Sequence, residues 1–228
     1  MEKKQARKMG IEARDNLSEN IRAAKGREVC RQLIENDLAR LMEEFRIEAE
    51  ATEKLREQQS VEDKQLQEAL EQMYGVQPMR DPYIAVYSPL ESEIDLTPFV
   101  QAAREAGCIV CYPAMLGENL MCMVRFDPND PHVQEFEFLK DPGEITKLDV
   151  RGTTCRMVAP EDLDIIIVPV AAYDGNRFFV AHGNGSYDRY IPRTSLGVRV
   201  IGVGYAEQRV ESIDTEAHDC QLRKMVTA

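Results

Sequence analysis

The chain has no tryptophan and only three histidines, at 132, 182 and 218, spaced too far apart to form a histidine-rich metal motif. It also has little positive charge: 28 lysines and arginines stand against 40 aspartates and glutamates, a formal net charge of −12. A protein that grips a phosphate backbone needs a basic face to replace condensed counterions, so nucleic acid is not an expected partner. No apolar run approaches the roughly 20 residues of a membrane span. The first residues are charged and lack the apolar stretch of a secretory signal. No membrane partner is expected, and a cytoplasmic location is.

Glycine and proline are absent from residue 27 to residue 74. In that stretch apolar residues at 38, 41, 42 and 45, then 66, 70 and 73, follow helical spacing, which predicts a long helix or helical hairpin over about 36–78. It reads as an insertion. It would serve as an arm for a partner or for self-association, or as an amphipathic helix on its own domain.

Six cysteines, at 30, 108, 111, 122, 155 and 220, lie mostly in apolar segments and are expected to be reduced core residues. Cys108-Ile-Val-Cys111 has no second cysteine or histidine pair at zinc-ligand spacing.

With 228 residues, 43% of them apolar, the chain suffices for one large domain carrying an insertion. Helices are expected over 3–15 and 18–34, with Ser18 capping the second. After Pro82 short apolar strands alternate with helices: 83–87, 108–112, 121–126, 165–170 and 198–205, with a helix near 96–106. That alternation predicts an α/β fold with a largely parallel sheet, which binds ligands beyond the carboxyl ends of its strands.

Five pieces carry chemistry. Ala181-His-Gly-Asn-Gly-Ser-Tyr-Asp-Arg189 follows such a strand. Its alternate glycines let bare N–H groups approach a phosphate, and Asp188 is placed to hold the metal that a phosphate carries. Lys3, Lys4 and Arg7 put cations on the first helix, Lys3 and Arg7 one turn apart. In Ser88-Pro-Leu-Glu-Ser-Glu93 a carboxylate at a strand end can accept bonds from heterocycle N–H groups. Ile201 to Gln208 ends another strand, and His218-Asp219 offers a further carboxylate.

Taken in order, these pieces resemble the 5-formyltetrahydrofolate cyclo-ligases, also called 5,10-methenyltetrahydrofolate synthetases. The matching residues are Lys3 to Arg7 with Arg14, Leu17 and Ser18, then Tyr87 to Asp95, Pro113, Asp164 to Pro169, Ala172 to Asp174, Gly183 to Arg189, Ile201 to Gln208, and His218-Asp219. The resemblance covers roughly 1–35 and 80–228 and implies a three-layer α/β/α sandwich. It also implies an ATP site made of Lys3, Lys4 and Arg7 with Ala181, His182, Gly183, Asn184, Gly185, Ser186, Tyr187, Asp188 and Arg189. By the same resemblance Asp188 and Asp219 bind Mg2+, Ser88 and Glu93 contact the folate, and Arg7 and Arg189 neutralise the transferring phosphoryl group. The implied reaction turns 5-formyltetrahydrofolate and ATP into 5,10-methenyltetrahydrofolate, ADP and phosphate.

The usual loop of these enzymes reads Arg-Leu-Gly-Tyr-Gly-Gly-Gly-Tyr-Tyr-Asp-Arg. Here Phe179 stands for the first arginine, with Arg177 two residues early, Ala181 for the first glycine and Ser186 for the first of the paired tyrosines. A side chain at 181 is expected to be strained if that position needs a positive φ. These departures leave open a second reading, a nucleotide- or folate-binding protein of the same fold without turnover.

Overall fold

Aliphatic runs after Pro82 form the sheet, and their pattern shows which strands are covered on both sides. The computed structural model describes residues 1–60, 63, 65–66, 73, 80–116, 120–126, 155–182 and 185–228. The strands are β1 (Tyr83–Ala85), β2 (Ile109–Leu116), β3 (Leu120–Phe126), β4 (Cys155–Val158), β5 (Ile165–Pro169), β8 (Arg199–Gly204) and β9 (Lys224–Thr227), in the spatial order β4-β3-β2-β1-β5-β8-β9. From β2 to β9 every pairing is parallel; β3 runs antiparallel to β2 and β4 antiparallel to β3. All five residues of β5 are buried, which is why that strand reads as an unbroken apolar run. Ile165 and Ile167 face one core, while Ile166 and Val168 face the other. A short antiparallel hairpin, β6 (Ala172–Tyr173) with β7 (Phe179–Val180), follows β5.

The expected first helices are present as α1 (Lys3–Asp15) and α2 (Glu19–Gln32), and Ser18 Oγ accepts from the Ile21 N–H at 3.4 Å as its cap. Further helices are α3 (Ala39–Gln58), α4 (Thr97–Glu105) and the single turn α5 (Ser186–Tyr190). Val29, Cys30 and Leu33 of the α2 run pack with Phe99 and Ala103 of α4 over one face of the sheet. Tyr187, Tyr190 and Ile191 belong to the core on the other face. The fold is α/β with a mostly parallel mixed sheet, as expected.

The helix expected over 36–78 grows directly out of α2. A π-helical segment, Leu33–Leu38, joins α2 to α3 without a break, giving a rod roughly 60 Å long at 1.5 Å per residue. The widened turn has a local cause. Leu33 and Leu38 lie five apart and are both buried, and Asp37 is also drawn inward, where both its carboxylate oxygens accept from Lys224 Nζ at 2.7 and 2.8 Å. The start of α3 packs on its own domain: Leu41 is buried, Met42 and Phe45 touch the core, and Arg199 bonds Glu44. Arg80, held by two 2.8 Å bonds to Asp164, stacks 5.6 Å from the Phe45 ring centroid. Beyond that seat Ile47 and Leu55 are exposed, and most of 61–79 lies outside the described residues.

Cys30, Cys108, Cys111 and Cys122 are free and buried, and Cys220 is half-buried. Burial pushes the Cys30 and Cys108 thiols up to about 11 and Cys111 to about 12. No helix among the described residues is long and apolar enough to cross a membrane.

Candidate active site

One face of α1 carries Lys3, Arg7, Gly10 and Arg14 at helical spacing, and α1 packs on the segments that follow the carboxyl ends of β5 and β8. Ala6 and Gly10 are fully covered, packing α1 against the segment after β5 and the β6–β7 hairpin. Beside α1 a cleft of about 300 Å3 is lined by Lys3, Arg7, Phe179, Val180, Ala181, Gly185, Ser186, Tyr187, Asp188, Arg189, His218 and Asp219. Segments far apart in sequence thus meet around one space. Lys4 is exposed and does not line it, because one residue along a helix turns a side chain by about 100°. Gly183 and Asn184 lie outside the described residues.

Lys3 Nζ donates to Asp219 Oδ1 at 2.7 Å, and the Glu216 N–H donates to Asp219 Oδ2 at 2.6 Å. Burial raises the Asp219 carboxyl, but Lys3, the Glu216 N–H and His218 outweigh it and hold the group below its ordinary value. Asp188 Oδ1 accepts from the Cys220 N–H at 3.1 Å, so the two aspartates are tied to adjacent points of one backbone segment. Arg7 Nε donates to the Ala181 carbonyl at 2.7 Å.

The departures from the family loop each have a definite place. Among the described residues Arg177 is the only non-glycine with a positive φ, so Ala181 carries no such strain. The left-handed position is Gly185, at φ 63°, where the chain enters α5. Ser186 is buried, facing Met115 Sδ at 3.9 Å. Phe179 is buried in β7, and Arg177 does not replace the missing cation: it donates from Nε to the Leu222 carbonyl at 3.0 Å, and it does not line the cleft.

A second locus adjoins the first. The turn after β1 places Glu93 with its side chain 6% exposed, its Oε2 accepting from the Leu90 N–H at 3.0 Å. The imidazole of His182 lies 2.7 Å from Glu93 Oε1 through Nε2, and Arg14 Nη1 is 3.7 Å from the same oxygen. Arg14 is 4% exposed, yet its Nε and Nη1 make no hydrogen bond among the described residues, and neither does the buried Ser88 Oγ. Burial, with Glu93 nearby, pushes the Tyr87 and Tyr187 phenols above their ordinary range. Glu93 also lines a groove of about 380 Å3 shared with Arg22, Arg27, Asp95 and Tyr205.

Gln208 is a tie rather than a contact. Its amide N–H groups bond the Val170 and Ala171 carbonyls at 2.9 Å each, its oxygen accepts from the Tyr205 N–H at 2.8 Å, and it is 1% exposed.

Two features were missed in sequence. The place of Arg14 beside Glu93 has a signal, since Arg14 shares the Lys3–Arg7 face of α1; the His182–Glu93 pair, 89 residues apart, has none.

No group of three or more His, Cys, Asp or Glu side chains forms a metal site among the described residues. Two hard carboxylates on one cleft nevertheless suit a Mg2+ ion, which completes its shell with phosphate oxygens and water.

A mostly parallel α/β sheet with a cation- and carboxylate-lined cleft beyond its strand ends is the build of an enzyme acting on small molecules. Residues 27–228 match the model of the 5-formyltetrahydrofolate cyclo-ligase family, and the chain belongs to it. The 5-formyltetrahydrofolate cyclo-ligase of Escherichia coli K12 is 27% identical over 148 residues, covering 63% of this chain and 76% of its own. The enzyme of the same name from Haemophilus influenzae is 27% identical over 144 residues, covering 61% and 72%. The 5,10-methenyltetrahydrofolate synthetase structure from Mycoplasma pneumoniae superposes with a TM-score of 0.63 at 15% identity, over 99% of this chain and 98% of that one. The synthetase from Aquifex aeolicus gives 0.61 at 22% identity, over 99% and 89%. At these identities the two structures speak for the fold alone.

Proposed function

We propose that the chain converts 5-formyltetrahydrofolate and ATP to 5,10-methenyltetrahydrofolate, ADP and phosphate, with Mg2+. The observation that carries this reading is the meeting of Lys3, Arg7, Arg189, Asp188 and Asp219 in one cleft, together with a buried Glu93 beside Arg14, whose Nε and Nη1 make no hydrogen bond among the described residues. Phosphoryl transfer asks a protein for positioning and charge neutralisation rather than a nucleophile, and this cleft holds cations and carboxylates.

In this reading the triphosphate lies along Lys3, Arg7 and Arg189. Asp188 and Asp219 would hold Mg2+, whose chemistry when bound is to offset phosphate charge. Glu93 accepts from N–H groups of the folate ring and Ser88 contacts the same ring. The formyl oxygen attacks the γ-phosphorus as ADP departs. N10 then adds to the activated carbon and loses its proton, and the carbon–oxygen bond breaks to release phosphate.

The test is turnover by the purified chain, followed through the near-ultraviolet absorbance of the methenyl product. Product is expected when ATP and Mg2+ are both supplied, and none when either is withheld. Asp188→Asn and Arg7→Gln are each expected to lower kcat/KM by roughly 100-fold or more. Absence of product from well-folded protein, across pH and divalent metals, would overturn the proposal.

A further inference from the structure

The bond between His182 and Glu93 spans the two loci. His182 sits between Ala181 and Gly185, which line the 300 Å3 cleft, whereas Glu93 lines the 380 Å3 groove. The imidazole is 44% exposed and the carboxylate 6%, so the partner able to move is the histidine. Glu93 has both oxygens engaged: Oε2 by the Leu90 N–H, which is local to its own turn, and Oε1 by His182, which comes from the other locus.

A further link runs behind this bond. The Ala181 carbonyl, one residue before His182, is held by Arg7 Nε at 2.7 Å. A phosphate engaging Arg7 competes with that carbonyl for the guanidinium, because an anionic oxygen is the stronger acceptor. Release of Ala181 frees the backbone that carries His182. On the other side, a heterocycle offering N–H donors to Glu93 competes with the imidazole for Oε1.

We propose that His182 is a positioning residue that couples the nucleotide and folate half-sites: it occupies Glu93 Oε1 in the ligand-free chain and yields that oxygen when nucleotide takes Arg7 from the Ala181 carbonyl. This rests on the function proposed above. Nucleotide then tightens folate binding, and by linkage folate tightens nucleotide binding by the same factor. At the position where the related loop carries tyrosine, this chain has a side chain able to form a charge-assisted bond to a carboxylate.

The experiment is calorimetric titration of 5-formyltetrahydrofolate into the full chain, with and without a non-hydrolysable ATP analogue and Mg2+. It is done for the wild type, His182→Ala and His182→Gln. In the wild type the analogue is expected to tighten folate binding about 5- to 50-fold. In His182→Ala the ratio falls towards one, because folate alone now binds more tightly. His182→Gln, which keeps an N–H donor for Glu93, retains part of the ratio. A wild-type ratio near one overturns the coupling, as does a His182→Ala ratio equal to the wild type's. The coupling also falls if His182→Ala lowers thermal stability and leaves the ratio untouched, since the bond would then be structural. Turnover by the wild type separates the two levels: with turnover these results sink the coupling alone, and without it the functional reading falls and takes the coupling with it.

Discussion

Gly10 of α1 stands so close to Ala171 that a Cβ on it would lie 2.0 Å from the Ala171 carbonyl oxygen and 2.8 Å from Ala172 Cβ. The helix bearing Lys3, Arg7 and Arg14 is therefore seated at the one distance that a bare backbone allows. Gly10→Ala is expected to lift α1 and destabilise the chain by about 1–3 kcal/mol. Gly26→Ala on α2 is the control: its Cβ would meet nothing nearer than Ile94 Cγ2 at 3.8 Å, so stability should hold or rise. Urea denaturation of the two variants distinguishes these outcomes.

The three bonds of Gln208 join the ends of β5 and β8, where the loops of the site begin. Gln208→Leu leaves the Tyr205 N–H and the Val170 and Ala171 carbonyls without this partner, at a cost on the order of 3 kcal/mol. Gln208→Glu keeps the shape and the acceptor for Tyr205 but sets a second acceptor against two carbonyls. It is expected to be as harmful at neutral pH. Melting temperatures of both variants measured against wild type test this.

Asp219 gives a pH dependence of definite sign. Its folded carboxyl titrates below the ordinary 3.8, so the tie to Lys3 stabilises the chain above that value and is lost as pH falls through the folded value. Lys3→Met removes the largest of the favourable partners, and the Asp219 carboxyl should then titrate higher. Carboxyl chemical shifts followed through acid titration report the change, and an unaltered midpoint would contradict the assigned cause.

The Asp37–Lys224 pair fastens the π segment to edge strand β9. Asp37 is 9% exposed and Lys224 41%, so solvent screens part of the attraction. Lys224→Met is expected to cost about 1–2 kcal/mol by leaving Asp37 without its cation. Adding Asp37→Leu should recover most of that loss, since a buried pair replaced by apolar side chains is often neutral. A double-mutant cycle in chemical denaturation measures the coupling.

The strands beginning near 83, 108, 121, 165 and 198 were legible because both faces of those segments are buried, making the apolar runs long. β9 was not: of its four residues Val226 alone is fully buried. β6 and β7, at two residues each, are too short to show a period. In the cleft, Lys3 and Arg7 could be paired by helical spacing. Lys3 with Asp219 and Glu93 with His182 could not, for those contacts are made by the topology and leave no trace in spacing. The resemblance supplied the order of the pieces; it did not reveal that Arg177 would spend its backbone on a left-handed turn and its guanidinium on Leu222.

The π segment has a consequence for how this chain tolerates change in length. Each residue advances an α-helix by about 100°, so the extra residue accommodated in Leu33–Leu38 sets the phase of everything beyond it. Removing Asn36 would restore regular α-helical bonding while rotating Leu41, Glu44 and Phe45 away from Arg80 and Arg199. The rod would keep its helicity and lose its seat, so its direction depends on a single added residue.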